Sequence, residues 1–138
     1  IEVASEPGIW LPAYLYRPLM ANGKLLLMLD GAGRAARWQD GQLYHQLARR
    51  GYTVCAADLR GLGDLLPELP RGPARHALSH AHEDHWAWAS LTLGRPLAGQ
   101  RAADVLALTR SLQADSVLGK LALKVAAQGR ALVPALLA

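Results

Sequence analysis

The stretch Val125-Ala126-Ala127-Gln128-Gly129-Arg130-Ala131-Leu132-Val133-Pro134-Ala135-Leu136-Leu137-Ala138 decides the reading of this chain. It begins inside a short apolar run, residues 121–126, which Ala and Lys dilute but which fits a strand. It then turns at Gly129 and enters an apolar segment with helical spacing. A strand that passes through a tight turn into a helix is the repeating unit of α/β architecture. Ligands of such sheets bind outside the carboxyl ends of the strands, and the turn at Gly129 would lie there.

Working upstream, the same unit recurs. Lys24-Leu25-Leu26-Leu27-Met28-Leu29 is a continuous apolar run bounded by Asn22-Gly23 and Asp30-Gly31, as a strand covered on both faces requires. Gly31-Ala32-Gly33 follows it directly. Residues 42–50 read as a helix, with Leu43 and Leu47 four apart, Arg49 and Arg50 suited to the negative end of its dipole, and Gly51 as the residue that ends it. Residues 52–57 form the next strand, which runs into Asp58-Leu59-Arg60-Gly61-Leu62-Gly63. Asp58 reads as a loop cap and Arg60 as its partner. Residues 65–74 are Pro-rich and read as a loop, residues 80–93 as a helix stopped by Gly94, and residues 99–112 as a helix with Val105, Leu108 and Leu112 on one face. At the start, residues 1–20 alternate around Pro7-Gly8, which predicts two strands joined by a turn, with Ile9, Leu11, Ala13 and Leu15 on one side. The expectation is one domain over residues 1–138, a three-layer α/β sheet that is mainly parallel, with parallel strands at residues 25–29, 52–57 and 121–126. Right-handed crossovers then bring residues 30–34, 58–64 and 127–131 to one edge.

Composition narrows the function. The net charge of +4 comes from scattered arginines rather than a block, so no stripe for nucleic acid is expected. The single cysteine, Cys55, excludes an internal disulfide and reads as a small core hydrophobe. No apolar run reaches the roughly 18 residues that span a bilayer, so no membrane partner is expected. Ile1 is not an initiator and Ala138 falls inside an apolar helical pattern, so the chain reads as a piece of a longer protein. Localisation stays open between a secreted or periplasmic site and the cytoplasm.

Several pieces, taken in order, resemble a known family. They are Ser5-Glu6-Pro7-Gly8 with Leu11-Pro12-Ala13; Leu29-Asp30-Gly31; Arg50-Gly51-Tyr52 leading to Asp58-Leu59-Arg60-Gly61-Leu62-Gly63; Leu93-Gly94-Arg95-Pro96-Leu97 through Gly99-Gln100-Arg101 to Asp104-Val105-Leu106; and Gln128-Gly129 with Ala135-Leu136. Together they resemble the α/β-hydrolase superfamily and, more narrowly, the acetyl xylan esterase and cephalosporin deacetylase type of carbohydrate esterase. The resemblance implies the N-terminal half of that fold, with the remaining half of the domain as its missing partner. It implies serine attack on an acyl group of an acetylated carbohydrate or other small ester, with no cofactor. It also implies an oxyanion hole from the backbone N–H of Gly31 or Ala32 and that of Arg130. The departures are as informative. Where the family's elbow carries Gly-x-Ser-x-Gly, this chain reads Ala127-Gln128-Gly129-Arg130-Ala131, so the nucleophile position holds Gly129. In that family the acid and the histidine follow the nucleophile, whereas His45, His76, His80, His82 and His85 all precede it. The expected outcome is a hydrolase fold without an intact catalytic set, or else a non-catalytic carbohydrate-binding or scaffolding module.

A second motif competes. His80-Ala81-His82-Glu83-Asp84-His85 reads H-x-H-x-D-H, the spacing of the metal loop in the metallo-β-lactamase superfamily, where zinc lowers the pKa of bound water to about 7. A zinc hydrolase using His80, His82, Asp84 and His85 is therefore the second alternative. Against it, no buried strand precedes the string, and Trp86-Ala87-Trp88-Ala89 follows where glycines should. Read as a helix, Ser79 is the N-cap, Glu83 and Asp84 sit at the positive end, and Trp86, Ala89 and Leu93 form the apolar face, with no metal bound. Trp10 and Trp38 flank loops, where they cover sheet edges or line a sugar-binding cleft.

Overall fold

A computed structural model describes residues 1–66 and 82–138. Strands β1 (Glu2–Glu6) and β2 (Ile9–Tyr16) form a hairpin that turns at Gly8, whose φ of +80° suits glycine. Then come β3 (Lys24–Asp30), α1 (Leu43–Arg49), β4 (Thr53–Ala57), α2 (His82–Thr92), α3 (Leu97–Ala114), β5 (Ala122–Gln128) and α4 (Leu132–Leu137). All five strands join one sheet in the order β1-β2-β4-β3-β5.

The three expected strands lie side by side and parallel, with Leu27 opposite both Cys55 and Val125. The sheet as a whole is mixed, however, because β1 pairs antiparallel with β2 and β2 antiparallel with β4. That corrects the expectation of a mainly parallel sheet. The reason lies in chain length: a parallel crossover needs a dozen or more residues. Only residues 7–8 separate β1 from β2, and only residues 17–23 separate β2 from β3.

Helices cover both faces. Val54 and Ala56 of β4 face α1 and pack with Tyr44, Leu43, Leu47 and Met28. Cys55 and Ala57 face the other way, into a larger cluster with Leu11, Ala13, Leu25, Leu27 and Leu29 under Val105, Leu108 and Leu112 of α3. All five residues of β4 are therefore buried, which explains their unbroken run of small and β-branched types. Cys55 is fully enclosed, and burial pushes its thiol up to about 11. At the end of α1 the N–H of Gly51 reaches the carbonyl of Ala48, and that of Tyr52 reaches Leu47. Gly51 has a φ of +89°, so this is the glycine-terminated cap expected there. No helix among the described residues is long and apolar enough to cross a membrane.

Helix α2 departs from expectation. Ser79, His80 and most of the Pro-rich 65–74 segment lie outside the described residues. Within the helix, Ala89 is exposed and Leu93, just beyond it, is 79 % exposed, while Ser90 is buried and Trp86 half-buried. The inward face is thus Glu83, Trp86 and Ser90. Two local contacts set this rotation. The Trp86 ring lies against the backbone of Gly61, where a Cβ would stand only 2.2 Å from it, and Glu83 pairs with the buried Arg101 at 2.5 Å.

Candidate functional site

Because β3, β4 and β5 run parallel, their carboxyl ends share one edge, and the loops after them meet there. Strand β5 ends at Gln128, a 3₁₀ turn covers Gly129–Ala131, and α4 begins at Leu132. Gly129 has a φ of +60°, a conformation that costs an L-residue about 1–3 kcal/mol and that clusters at functional turns. A Cβ placed on Gly129 would meet only the backbone of Gly31, at 3.6 Å and 3.8 Å, which is ordinary contact. The position has room for a side chain and carries none. Gly31 is the opposite case. A Cβ there would stand 2.7 Å from the backbone nitrogen of Arg130, so the loop after β3 can lie this close to the turn only with glycine.

Two backbone donors at this edge have defined partners. The N–H of Gly31 donates to the carbonyl of Gln128 at 3.1 Å, extending the β3–β5 ladder by one bond. The N–H of Ala32 donates to Asp30 Oδ1 at 2.9 Å, and the Gln128 carboxamide donates to Asp30 Oδ2. Arg130 presents its backbone nitrogen to Gly31. Its guanidinium spans the Gly31 carbonyl, at 3.3 Å, and the Glu83 carboxylate. Glu83 also accepts from Arg101, whose Nε donates to the carbonyl of Arg60 at 2.9 Å. Burial raises the Glu83 pKa, but the hydrogen bonds from Arg101 and then Arg130 outweigh it and hold the carboxyl below its usual value. Behind the loop, a cavity of about 100 Å³ opens between β3, β5 and α1, lined by Asp30, Arg37, Tyr44 and Gln128 with apolar neighbours. Burial, with the nearby Asp30 charge, pushes the Tyr44 hydroxyl up to about 12.

The loop after β4 is fixed by two buried carboxylates. Asp58 is fully buried and accepts from the backbone of Arg34 at 2.5 Å, from the backbone of Asp64 at 3.1 Å, and from the Arg34 guanidinium. Gly33 and Gly63 make room for it, since a Cβ on either would press to within 2.8 Å or 2.3 Å of its oxygens. Asp58 is indeed a loop cap, but its cationic partner is Arg34, not Arg60. Arg60 turns instead to α3, where its Nε donates to Asp104 at 2.9 Å and its Nη2 to the other Asp104 oxygen at 2.5 Å. Ser5, Glu6 and Gln100 complete that network. Sequence alone reads Glu83 only as a charge at the start of a helix, and Arg101 and Asp104 only as part of the resemblance. It does not single out Arg34, and it does not foresee the ion pairs of Arg34, Glu83, Arg101 and Asp104. The last two carried a signal: Arg101, Asp104, Leu108 and Leu112 recur at spacings of three and four, which places two charges on a buried helix face.

Of the histidine string, His80 lies outside the described residues and His82 opens α2. Asp84 is exposed, and the His85 ring packs edge-on to Trp88 at 5.9 Å. No group of three His, Cys, Asp or Glu among the described residues could hold a metal ion.

The edge, its glycine turn and its flanking helices belong to an α/β fold built on one mixed sheet. A solved structure described as a "putative acetyl xylan esterase", from Bacteroides fragilis, superposes on 99 % of this chain with a TM-score of 0.73 and 17 % identity. The chain spans 39 % of the length of that protein, and the likeness is one of fold. No family model and no curated protein matches the sequence.

Proposed function

We propose that this chain is part of an ester hydrolase of the α/β-hydrolase superfamily, of the carbohydrate acetyl esterase type, and that with glycine at the elbow it does not itself turn over esters. The observation that carries this is Gly129, which sits at φ +60° between β5 and α4 and faces the loop after β3. That is where a strand-to-helix elbow holds its nucleophile. In this reading the Arg130 N–H is the oxyanion donor that follows the nucleophile. Ala32 is the second candidate, and its N–H would become available once Asp30 Oδ1 released it. Gly31 is the weaker of the two loop donors, because its N–H completes the ladder to Gln128. The substrate class is an acetylated carbohydrate or other small ester. The rest of the domain is the structural partner, and the exposed apolar side chains of β5 and α4 support that part of the reading.

The test is hydrolysis of p-nitrophenyl acetate. The chain with Gly129 is expected to give no release above buffer. Gly129→Ser alone is expected to stay inactive, since none of the five histidines occupies the place in chain order that the family's base requires. Turnover by the unaltered chain that a fluorophosphonate blocks would sink the inactivity claim. Two exposed or half-buried tryptophans near this edge favour a second reading, in which the surface binds carbohydrate without cleaving it.

A further inference from the structure

We propose that the sheet edge opposite Gly129 docks on an anionic lipid bilayer, with Leu19 and Met20 entering the headgroup layer and the cations around them facing the lipid charge. The proposal goes beyond the ester-hydrolase reading and does not depend on it. The topology assembles this edge. β3, β4 and β5 run parallel and start there, and β2, antiparallel to β4 with Tyr16 opposite Val54, ends there. Cations scattered in sequence therefore meet. Arg17 follows β2, Lys24 opens β3, Arg49 and Arg50 end α1 just before β4, and Lys120 precedes β5. All five are exposed. Arg49 pairs with Asp40 at 3.1 Å, and the other four make no ion pair among the described residues. Asp115 also lies at this end, but it turns one oxygen onto the N–H groups of Val117 and Leu118. At the opposite edge Asp30, Asp58, Asp64 and Glu83 all pair with arginines. Cations there are balanced, and cations here are not.

The loop between β2 and β3 is tied down at its base, and its tip is left in water. The Asn22 N–H donates to the carbonyl of Gly51 at 2.9 Å, and the Asn22 carboxamide donates to the carbonyl of Arg50 at 3.2 Å. The Ala122 N–H reaches the carbonyl of Gly23 at 2.9 Å. A Cβ on Gly51 would stand 2.9 Å from the Met20 carbonyl oxygen, so the loop lies directly against the end of α1. On this base Leu19 is wholly exposed and Met20 is 85 % exposed. Val117, in the turn before β5, adds a third apolar side chain, 61 % exposed. A groove of about 370 Å³ between the loop and α1 is lined by Arg17, Leu19, Met20 and Arg49, among others, so apolar and cationic groups share one surface. That combination selects the partner. An acidic bilayer attracts each cation near its surface, strengthening binding about fivefold per Lys or Arg. It also takes up aliphatic side chains below its headgroups. A nucleic acid duplex would engage the cations, but it gives aliphatic side chains a place only by unstacking its bases. No membrane-crossing segment is required, since charge attraction and a shallow apolar insertion suffice for a surface-bound protein. Docked in this way, the chain turns its Gly129 edge toward water.

The test is flotation of the 138-residue chain with vesicles of one part phosphatidylserine to two parts phosphatidylcholine. The chain is expected to float with these vesicles at low salt and to bind phosphatidylcholine alone at least about tenfold more weakly. Salt should release it as the Debye length shrinks to about 3 Å at 1 M. Arg50→Gln combined with Lys120→Gln should weaken binding about twentyfold. Leu19→Ser combined with Met20→Ser should weaken it about tenfold with an unchanged circular dichroism spectrum, because both side chains are already in water. Arg37→Gln, which removes a cation at the opposite edge, should leave it unchanged. Leu136→Glu combined with Leu137→Glu should leave it unchanged as well. No flotation with the acidic vesicles, equal binding to phosphatidylcholine alone, or full binding by the Leu19→Ser, Met20→Ser variant would each overturn the proposal. Loss of binding in the Leu136→Glu, Leu137→Glu variant would place the contact on α4 and overturn it too. So would tighter binding of a DNA duplex than of vesicles at equal salt, undiminished when Leu19 and Met20 are replaced.

Discussion

Asp104 is fully buried, and its two oxygens take hydrogen bonds from the Arg60 backbone, the Arg60 guanidinium and the Ser5 hydroxyl. Removing one member of a buried pair strands the other charge, which costs about 3–5 kcal/mol. Asp104→Ala is therefore expected to lose about that much in urea unfolding, with Asp104→Asn losing less because one acceptor oxygen remains. A loss below about 1 kcal/mol for Asp104→Ala would mean that Glu6 and Ser5 take over the guanidinium unaided. At this scale the sequence was only partly readable. It marked Asp58 as a cap but paired it with Arg60, two residues away. The structure pairs it with Arg34, twenty-four positions earlier, because Gly33 and Gly63 bring that loop against the carboxylate. Nothing local in the sequence encodes such a contact. Glycines at both positions were visible, but what they make room for was not.

Helix α2 is tied down through Glu83, which bridges Arg101 on α3 and Arg130 at the elbow turn. The two cations hold its folded pKa below the usual 4.5, despite burial acting the other way. Linkage then fixes the sign. The stabilisation is fully present above about 4.5 and is lost as pH falls through the folded value. Comparing urea midpoints of the chain with those of Glu83→Gln should show a gap at neutral pH that narrows steadily below about 4.5. A gap that persists unchanged into strong acid would show that the carboxylate charge is not what anchors the helix. The extent of this element was legible from its spacing and from Gly94, whereas its orientation was not. The apolar pattern favoured Trp86, Ala89 and Leu93, but the helix is rotated so that Glu83, Trp86 and Ser90 face inward. An ion pair to Arg101 and the contact with Gly61 outweigh an alanine and a leucine at the end of the helix. Helices α1 and α3 were read more successfully, because their buried faces are the ones that pack on the sheet and hydrophobic spacing reports that packing directly.

For the whole molecule, the alternation of strands and helices disclosed the three-layer arrangement, the parallel trio β4-β3-β5 and the shared loop edge. The reading failed on the mixed character of the sheet, although short links between β1, β2 and β3 were there to count. The same topology leaves one side of the described structure open. β5 is an edge strand, with Val125 exposed, and beside it Leu132, Val133, Leu136 and Leu137 of α4 are also exposed. A free strand edge flanked by contiguous apolar side chains is a template for association. The chain on its own should therefore self-associate in a concentration-dependent way, seen as a rising weight-average sedimentation coefficient. Leu136→Glu combined with Leu137→Glu should reduce that rise without lowering the urea midpoint, because both side chains are already in water and contribute little to the core. Sedimentation that does not change with concentration would show that this face is tolerated by water as it stands. An equal drop in stability for the double variant would show instead that α4 relies on those leucines for its own packing against α3.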